Sequence, residues 1–137
     1  MTGLLIVTHA NLGSALIETV EFILGKEQEN LLAISIDIKE DADSLRKKIK
    51  KGISKVGNDE GVIILTDMFG GTPSNLSYAF LEEGKVEVIS GVNLPILLKA
   101  VTLRRKLKLN ELTATLVEHG KRSISLASGI LKGTGRT

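Results

Sequence analysis

The 137-residue chain has no cysteine and no tryptophan. Without a thiol there is no disulfide, no thiolate metal ligand and no cysteine nucleophile, and the composition suits a reducing compartment. Aromatics are few, three Phe and one Tyr. No strong basic run makes up for them, so the stacking platforms and cationic stripes of nucleic-acid binders are missing. The two histidines, His9 and His119, are too few to suggest a metal site in a chain without Cys. No apolar run approaches the ~18 residues that span a bilayer, and no charged-then-apolar leader opens the chain. Charges nearly balance, with 18 Lys plus Arg against 16 Asp plus Glu, so net charge selects no class of partner. What remains is a soluble, cytoplasmic protein, long enough for one domain with a proper core.

What the chain does have is alternation of two periodicities. Leu4 to Val7 and Val62 to Leu65 are unbroken apolar runs, the mark of strands buried on both faces. Leu32, Ile34, Ile36 and Ile38 alternate with smaller or polar residues, and Val86 and Val88 alternate with Lys85 and Glu87, as half-covered strands do. Between them lie helical patterns. One runs from about Ser14 to Leu24 with Gly25 as its stop, and a second is capped by Asp41 or Asp43 with Leu45, Ile49 and Ile53 on its apolar face. A third runs from Pro73 to about Glu83, with Leu76, Ala79 and Phe80 inward and Gly84 at its end. A fourth runs from Ile96 to about Leu107, and a last from a cap at Asn110 to Glu118, stopped by Gly120. Ile124 and Leu126 suggest a short final strand. Residues 1–132 thus read as a single α/β domain and 133–137 as a loose tail.

The strands that carry continuous apolar runs belong in the middle of the sheet. With right-handed crossovers the order is 2-1-3-4, a doubly wound and mainly parallel sheet. The chain winds outward in opposite directions from strands one and three, and the crevice between their C-terminal ends is where such sheets bind ligands. His9 ends strand one and Asp67 ends strand three. Adjacent strands lie ~4.8 Å apart, so imidazole and carboxylate can meet. Beyond Asp67, Gly70 and Gly71 make a turn, Thr72 is a good N-cap, and Pro73 suits the first helical position. A helix N-terminus with unpaired amides suits a phosphoryl group. A carboxylate fixes the tautomer of a neutral imidazole and stabilises the positive character it gains on attack. The reaction that uses every part is phosphoryl transfer onto His9. His119, at a helix C-terminus, is read as structural, and the Arg104-Arg105-Lys106 cluster as a solvated helix end or, less readily, a docking patch.

Three motifs carry a resemblance. Leu-Leu-Ile-Val-Thr-His9, Leu-Thr-Asp67-Met-Phe-Gly-Gly-Thr-Pro-Ser-Asn75 and Ile-Ser-Gly-Val-Asn93-Leu-Pro95 resemble the EIIA component of the mannose family of the bacterial sugar phosphotransferase system, over nearly the whole chain. The resemblance implies that His9 accepts phosphate from phospho-HPr and passes it to an EIIB partner without a cofactor. It further implies that Asp67 orients His9 and that the turn at Gly70, Gly71 and Thr72 holds the phosphoryl oxygens. It places the membrane components EIIC and EIID downstream, and implies a homodimer that exchanges the short strand at Ser123 to Ser128, antiparallel to the rest. The pattern departs at Ser74, where a Phe commonly follows the Pro.

Three other readings are open to the residues. A subunit that passes phosphate towards a dihydroxyacetone kinase would not keep the Phe-Gly-Gly-Thr-Pro stretch. A metal-binding receiver module, or another non-enzymatic ligand-binding module, is the reading from a different class; a receiver would want clustered acids where His9 stands. A small hydrolase would want a Ser or Cys nucleophile paired with His9, and none is evident.

Overall fold

The computed structural model describes residues 1–132, so the tail expected at 133–137 lies outside the described residues. Four strands form one all-parallel sheet in the order β2-β1-β3-β4, with β1 at Gly3–His9, β2 at Leu31–Ile36, β3 at Val62–Thr66 and β4 at Val86–Ser90. This is the order argued from burial. Each residue of β3 is buried, and β1 is buried from Gly3 to Thr8, because both strands are covered on two faces. The outer strands β2 and β4 are only partly covered.

Alternation along β1 and β3 sends side chains to two separate cores. Leu4, Ile6, Ile63 and Leu65 pack with Val20 of α1 (Leu12–Leu24), with Ile96, Leu97, Ala100 and Val101 of α4 (Leu94–Leu103) and with Leu112 and Leu116 of α5 (Leu109–Arg122). Leu5, Val7, Val62 and Ile64 pack on the other face with Leu45, Ile49 and Val56 of α2 (Ala42–Val56), and with Leu76 of α3 (Thr72–Ser77). Helices on both faces are what a buried parallel sheet requires. None of the described helices is long and apolar enough to cross a membrane.

Several local readings hold. Asp41 caps α2, its carboxylate accepting the Ser44 amide at 2.7 Å. Gly25 ends α1 in the left-handed conformation, φ 76°. Others need correction. The third helix stops at Ser77 and continues to Phe80 only as a 3-10 turn, because the Ser77 hydroxyl donates to the Pro73 carbonyl and competes within the helix. Ala79 is accordingly exposed, and Gly84 belongs to the turn before β4. The fourth helix ends at Leu103 rather than near Leu107. The last long helix starts after Lys108, not Asn110, and runs through Gly120 to Arg122. Gly120 is a packing glycine: a Cβ there would lie 2.5 Å from Ile96 Cδ1. Residues 124–126 pair with no strand among the described residues, and Ala127–Leu131 form a short helix, α6. Among the described residues the strand expected at Ser123 to Ser128 is therefore absent, since a strand has to pair with something.

Arg104 also departs from expectation. It is buried at the end of α4, where its guanidinium donates to the carbonyls of Asn30 at 3.0 Å, Glu29 at 2.5 Å and Thr2 at 3.4 Å. It ties the N-terminal ends of β1 and β2 together. Burial, then the neighbouring charge of Arg105, pulls its pKa below the usual arginine value.

Candidate active site

The site lies at the opposite, C-terminal end of the strands. Parallel registration of β1 with β3 sets Val7 beside Thr66, so Asp67 emerges level with Thr8, within reach of His9 one residue further along β1. His9 follows Leu5 and Val7 onto the face covered by α2 and α3. Asp67 Oδ2 accepts the backbone N–H of His9 at 2.9 Å and lies 2.7 Å from His9 Nδ1. Its other oxygen, Oδ1, accepts the Met68 amide at 3.0 Å. The Asp67 side chain is 10% exposed and that of His9 40%. Burial alone would discourage ionisation of the Asp67 carboxyl. The His9 amide and ring hydrogen bonds, with the ring's charge, together outweigh it and hold the pKa below the ordinary carboxylate value. An ionised carboxylate only accepts, so the proton between the two groups belongs to Nδ1, and it is Nε2 that can offer a lone pair.

Nε2 faces the glycine turn. An added Cβ at Gly71 would sit 3.0 Å from His9 Cε1, 3.7 Å from Nε2 and 3.3 Å from Met68 Cγ. Gly70 holds φ 83°, a left-handed value that glycine adopts freely. The N-cap of α3 is Gly71; Thr72, expected as the cap, is instead the first helical residue, with Pro73 second. The chain turns into the helix one residue early with no side-chain cap, and the buried Ser74 hydroxyl donates back to the Gly71 carbonyl at 3.0 Å. Asn75 Nδ2 reaches the Gly70 carbonyl at 3.4 Å.

The family model for the PTS system fructose IIA component, EIIA-man, matches residues 3–117. The chain belongs to this family. It is 33% identical over 129 residues to the fructose-specific EIIA component of Bacillus subtilis, covering 93% of this chain and 88% of that protein. It is 34% identical over 124 residues to the mannose-specific EIIAB component of Escherichia coli, covering 89% of this chain but spanning only 38% of that longer protein. Among solved structures, the phosphotransferase system EIIA component of Streptococcus agalactiae superposes with a TM-score of 0.83 at 26% identity, over 93% of this chain and 98% of that one. Membership makes this EIIA-man chain a component of the sugar phosphotransferase system, whose EIIA proteins carry phosphoryl groups.

Of the residues singled out in the sequence, His9, Asp67, Gly70, Gly71 and Thr72 fall in one place. His119 does not: it sits in the last turn of α5, on a helix that belongs to the other face of the sheet. Asn93 of the third motif caps α4, accepting the Ile96 amide at 2.9 Å. Sequence reasoning missed the use of Ser74, which registered only as a departure from the family pattern. A hydroxyl three residues past a glycine at a helix start is the signal that points to it. Three apolar side chains near the site stay in solvent: Leu12, Met68 and Phe69, the last 79% exposed with its ring centroid 6.3 Å from that of Tyr78. Among the described residues no group of three or more His, Cys, Asp or Glu is placed to hold a metal ion.

Proposed function

We propose that this EIIA-man chain is a phosphohistidine carrier that takes a phosphoryl group from phospho-HPr onto His9 Nε2 and delivers it to an EIIB partner. The observation that carries the reading is the double use of Asp67 Oδ2, which holds both the His9 amide and Nδ1 and so leaves Nε2 as the nucleophile. The Nε2 lone pair attacks phosphorus as the bond to the donor breaks, and the electron pair of that bond leaves with the donor. Nδ1 keeps its proton throughout, and the positive character gained by the ring is stabilised by the adjacent carboxylate. Delivery to EIIB reverses these events. Gly70, Gly71 and Thr72 are assigned to the phosphoryl oxygens. The turn approaches Nε2 by backbone alone, and a side chain at Gly71 would fill the space a phosphoryl group needs.

No cofactor enters this scheme. The exposed Leu12, Met68 and Phe69 suit a partner that is a protein surface, since apolar side chains rimming a polar centre mark docking faces. In this assignment the protein works in the cytoplasm, ahead of EIIC and EIID in the membrane, and as a homodimer.

The test is incubation with phosphoenolpyruvate, enzyme I and HPr, followed by mass-spectrometric mapping of acid-labile phosphate. Phosphate is expected on His9 alone, lost in His9→Ala and kept in His119→Ala. Labelling of His119 in the His9→Ala protein would overturn the assignment.

A further inference from the structure

Ala10, the residue after His9, stands at φ 48°, in the left-handed region. Among the described residues the only other non-glycine with positive φ is Asn30, a residue type whose short polar side chain tolerates that conformation. Ala has no such tolerance, because its Cβ approaches the following carbonyl. Something has to hold Ala10 there. The side chain of Ser35, on β2, donates its hydroxyl hydrogen to the Ala10 carbonyl.

We infer that Ser35 is a positioning residue for His9. Thr8 and Ser35 are register partners on β1 and β2 and share the face of the sheet that α1 covers. Thr8 Oγ1 accepts the Gly13 amide at 2.8 Å while Ser35 takes the Ala10 carbonyl, so two hydroxyls pin both ends of the β1–α1 turn to that face. His9, lying between them in sequence, is turned to the opposite face, where Asp67 receives its amide and ring. The end of β1 is thus gripped from both neighbouring strands: by Asp67 on the β3 side and by Ser35 on the β2 side.

The consequence for the ring follows from what cannot move. β1 is fixed by a ladder on each side, and α1 by Val20, which is fully buried. If the Ser35 hydroxyl is removed, Ala10 relaxes towards negative φ, and the rotation has to be absorbed by His9 and Asn11 because their neighbours are held. His9 then leaves the geometry in which one carboxylate oxygen takes both its donors. Ser35 itself is exposed at the edge of the sheet and buries no apolar surface, so its loss bears on the orientation of His9 rather than on the core.

The inference rests on His9 as the phosphoryl acceptor, and its test separates the two. Four proteins are compared: wild type, Ser35→Ala, Ser35→Thr, and Ser35→Ala combined with Ala10→Gly. The readouts are the ¹⁵N spectrum of the His9 ring, which reports its tautomer without any phosphate, and the rate of transfer from phospho-HPr by rapid quench. Ser35→Ala is expected to mix the tautomers and slow transfer about tenfold, as loss of reactive orientation does, with a melting temperature within about 2 °C of wild type. Ser35→Thr keeps the hydroxyl and should stay near wild type. The double variant should recover to within about threefold, because glycine adopts positive φ without a clamp. A wild-type ring spectrum and rate in Ser35→Ala would overturn the inference. So would a double variant as slow as Ser35→Ala with a lowered melting temperature, the pattern of a merely structural contact. If wild type takes no phosphate on His9, the carrier reading fails, and the ring spectrum of Ser35→Ala still decides the clamp.

Discussion

Asp67→Asn exchanges one oxygen for an amide nitrogen and leaves the side chain's shape alone. In this site no amide rotamer is innocuous, because both carboxylate oxygens accept a backbone N–H: Oδ2 from His9 and Oδ1 from Met68. With the amide oxygen towards His9, the Nδ1 proton stays in place, the negative charge is gone, and the NH2 group faces the Met68 amide. With the NH2 towards His9, it opposes the buried side of the site, and Nδ1 has to become an acceptor. The ring proton then moves to Nε2 and blocks the lone pair. The first rotamer sacrifices the more exposed hydrogen bond and is favoured. Most of the protein therefore keeps the reactive tautomer and loses the charge that stabilises the ring after attack. In a Ser-His-Asp triad the corresponding change costs about 10⁴ in rate, largely through the wrong tautomer. Phosphoryl transfer asks less of proton removal, so the expected loss is roughly 10²- to 10³-fold.

Stability should move little by comparison. One lost hydrogen bond at a partly exposed position costs about 1 kcal/mol, or roughly 4 °C in melting temperature for a chain of this size. The pH dependence has a definite sign. The Asp67 carboxyl has a folded pKa below its ordinary value, so its contribution is fully present above the ordinary carboxylate range and is lost as pH falls through the lowered folded value. The melting difference between wild type and Asp67→Asn should therefore hold at neutral pH and shrink in strong acid. The measurements are rapid-quench transfer from phospho-HPr and thermal melts across pH. A normal transfer rate with a lowered melting temperature would reduce Asp67 to a cap for two backbone amides and refute the orienting role.

Gly71→Ala is a steric probe, since φ there is −82° and any residue can adopt it. The methyl, 3.0 Å from His9 Cε1, should slow transfer at least about tenfold while the melting temperature stays within a few degrees, and an unchanged rate would count against the turn as the phosphoryl seat. Arg104→Met should do the reverse. Stripping three main-chain carbonyls of their buried donor should cost about 2–4 kcal/mol, read as a melting shift of roughly 6 °C or more, with transfer preserved. The proposed homodimer is checked by light scattering at micromolar concentration. Ile124 and Leu126 are 80% and 76% exposed beside an unpaired segment, so Ile124→Asp with Leu126→Asp should yield monomer, and a wild-type monomer would exclude the exchange.

The layout of the site was legible because it follows from burial and crossover handedness. Unbroken apolar runs in β1 and β3 set those strands at the centre, the reversal of winding between them set the crevice, and His9 and Asp67 were the polar residues at both strand ends. Several misread features depend on contacts distant in sequence. Three cations in a row at a helix end look solvated. Only the meeting of Arg104 with carbonyls 74, 75 and 102 residues away shows that one of them is buried. Gly120 reads as a helix stop until Ile96 is found against it. Residues 124–126 have strand-like alternation and pair with no strand among the described residues.

Ser35 marks the boundary between what pattern can and cannot disclose. Within β2 it is one polar residue in an alternating strand, a position that pattern assigns to solvent, and it is indeed exposed. Its partner, the Ala10 carbonyl, exists as a target only because Ala10 adopts a conformation its side chain disfavours. Ordinary propensity would not place Ala there, so local sequence offers no hint of the contact. The central elements of the site come from residues that obey local rules: apolar strands, a glycine turn, a carboxylate beside a histidine. The fine aim of the histidine depends on one residue that breaks such a rule and on the neighbouring strand that holds it, and that is where sequence reasoning should be expected to stop.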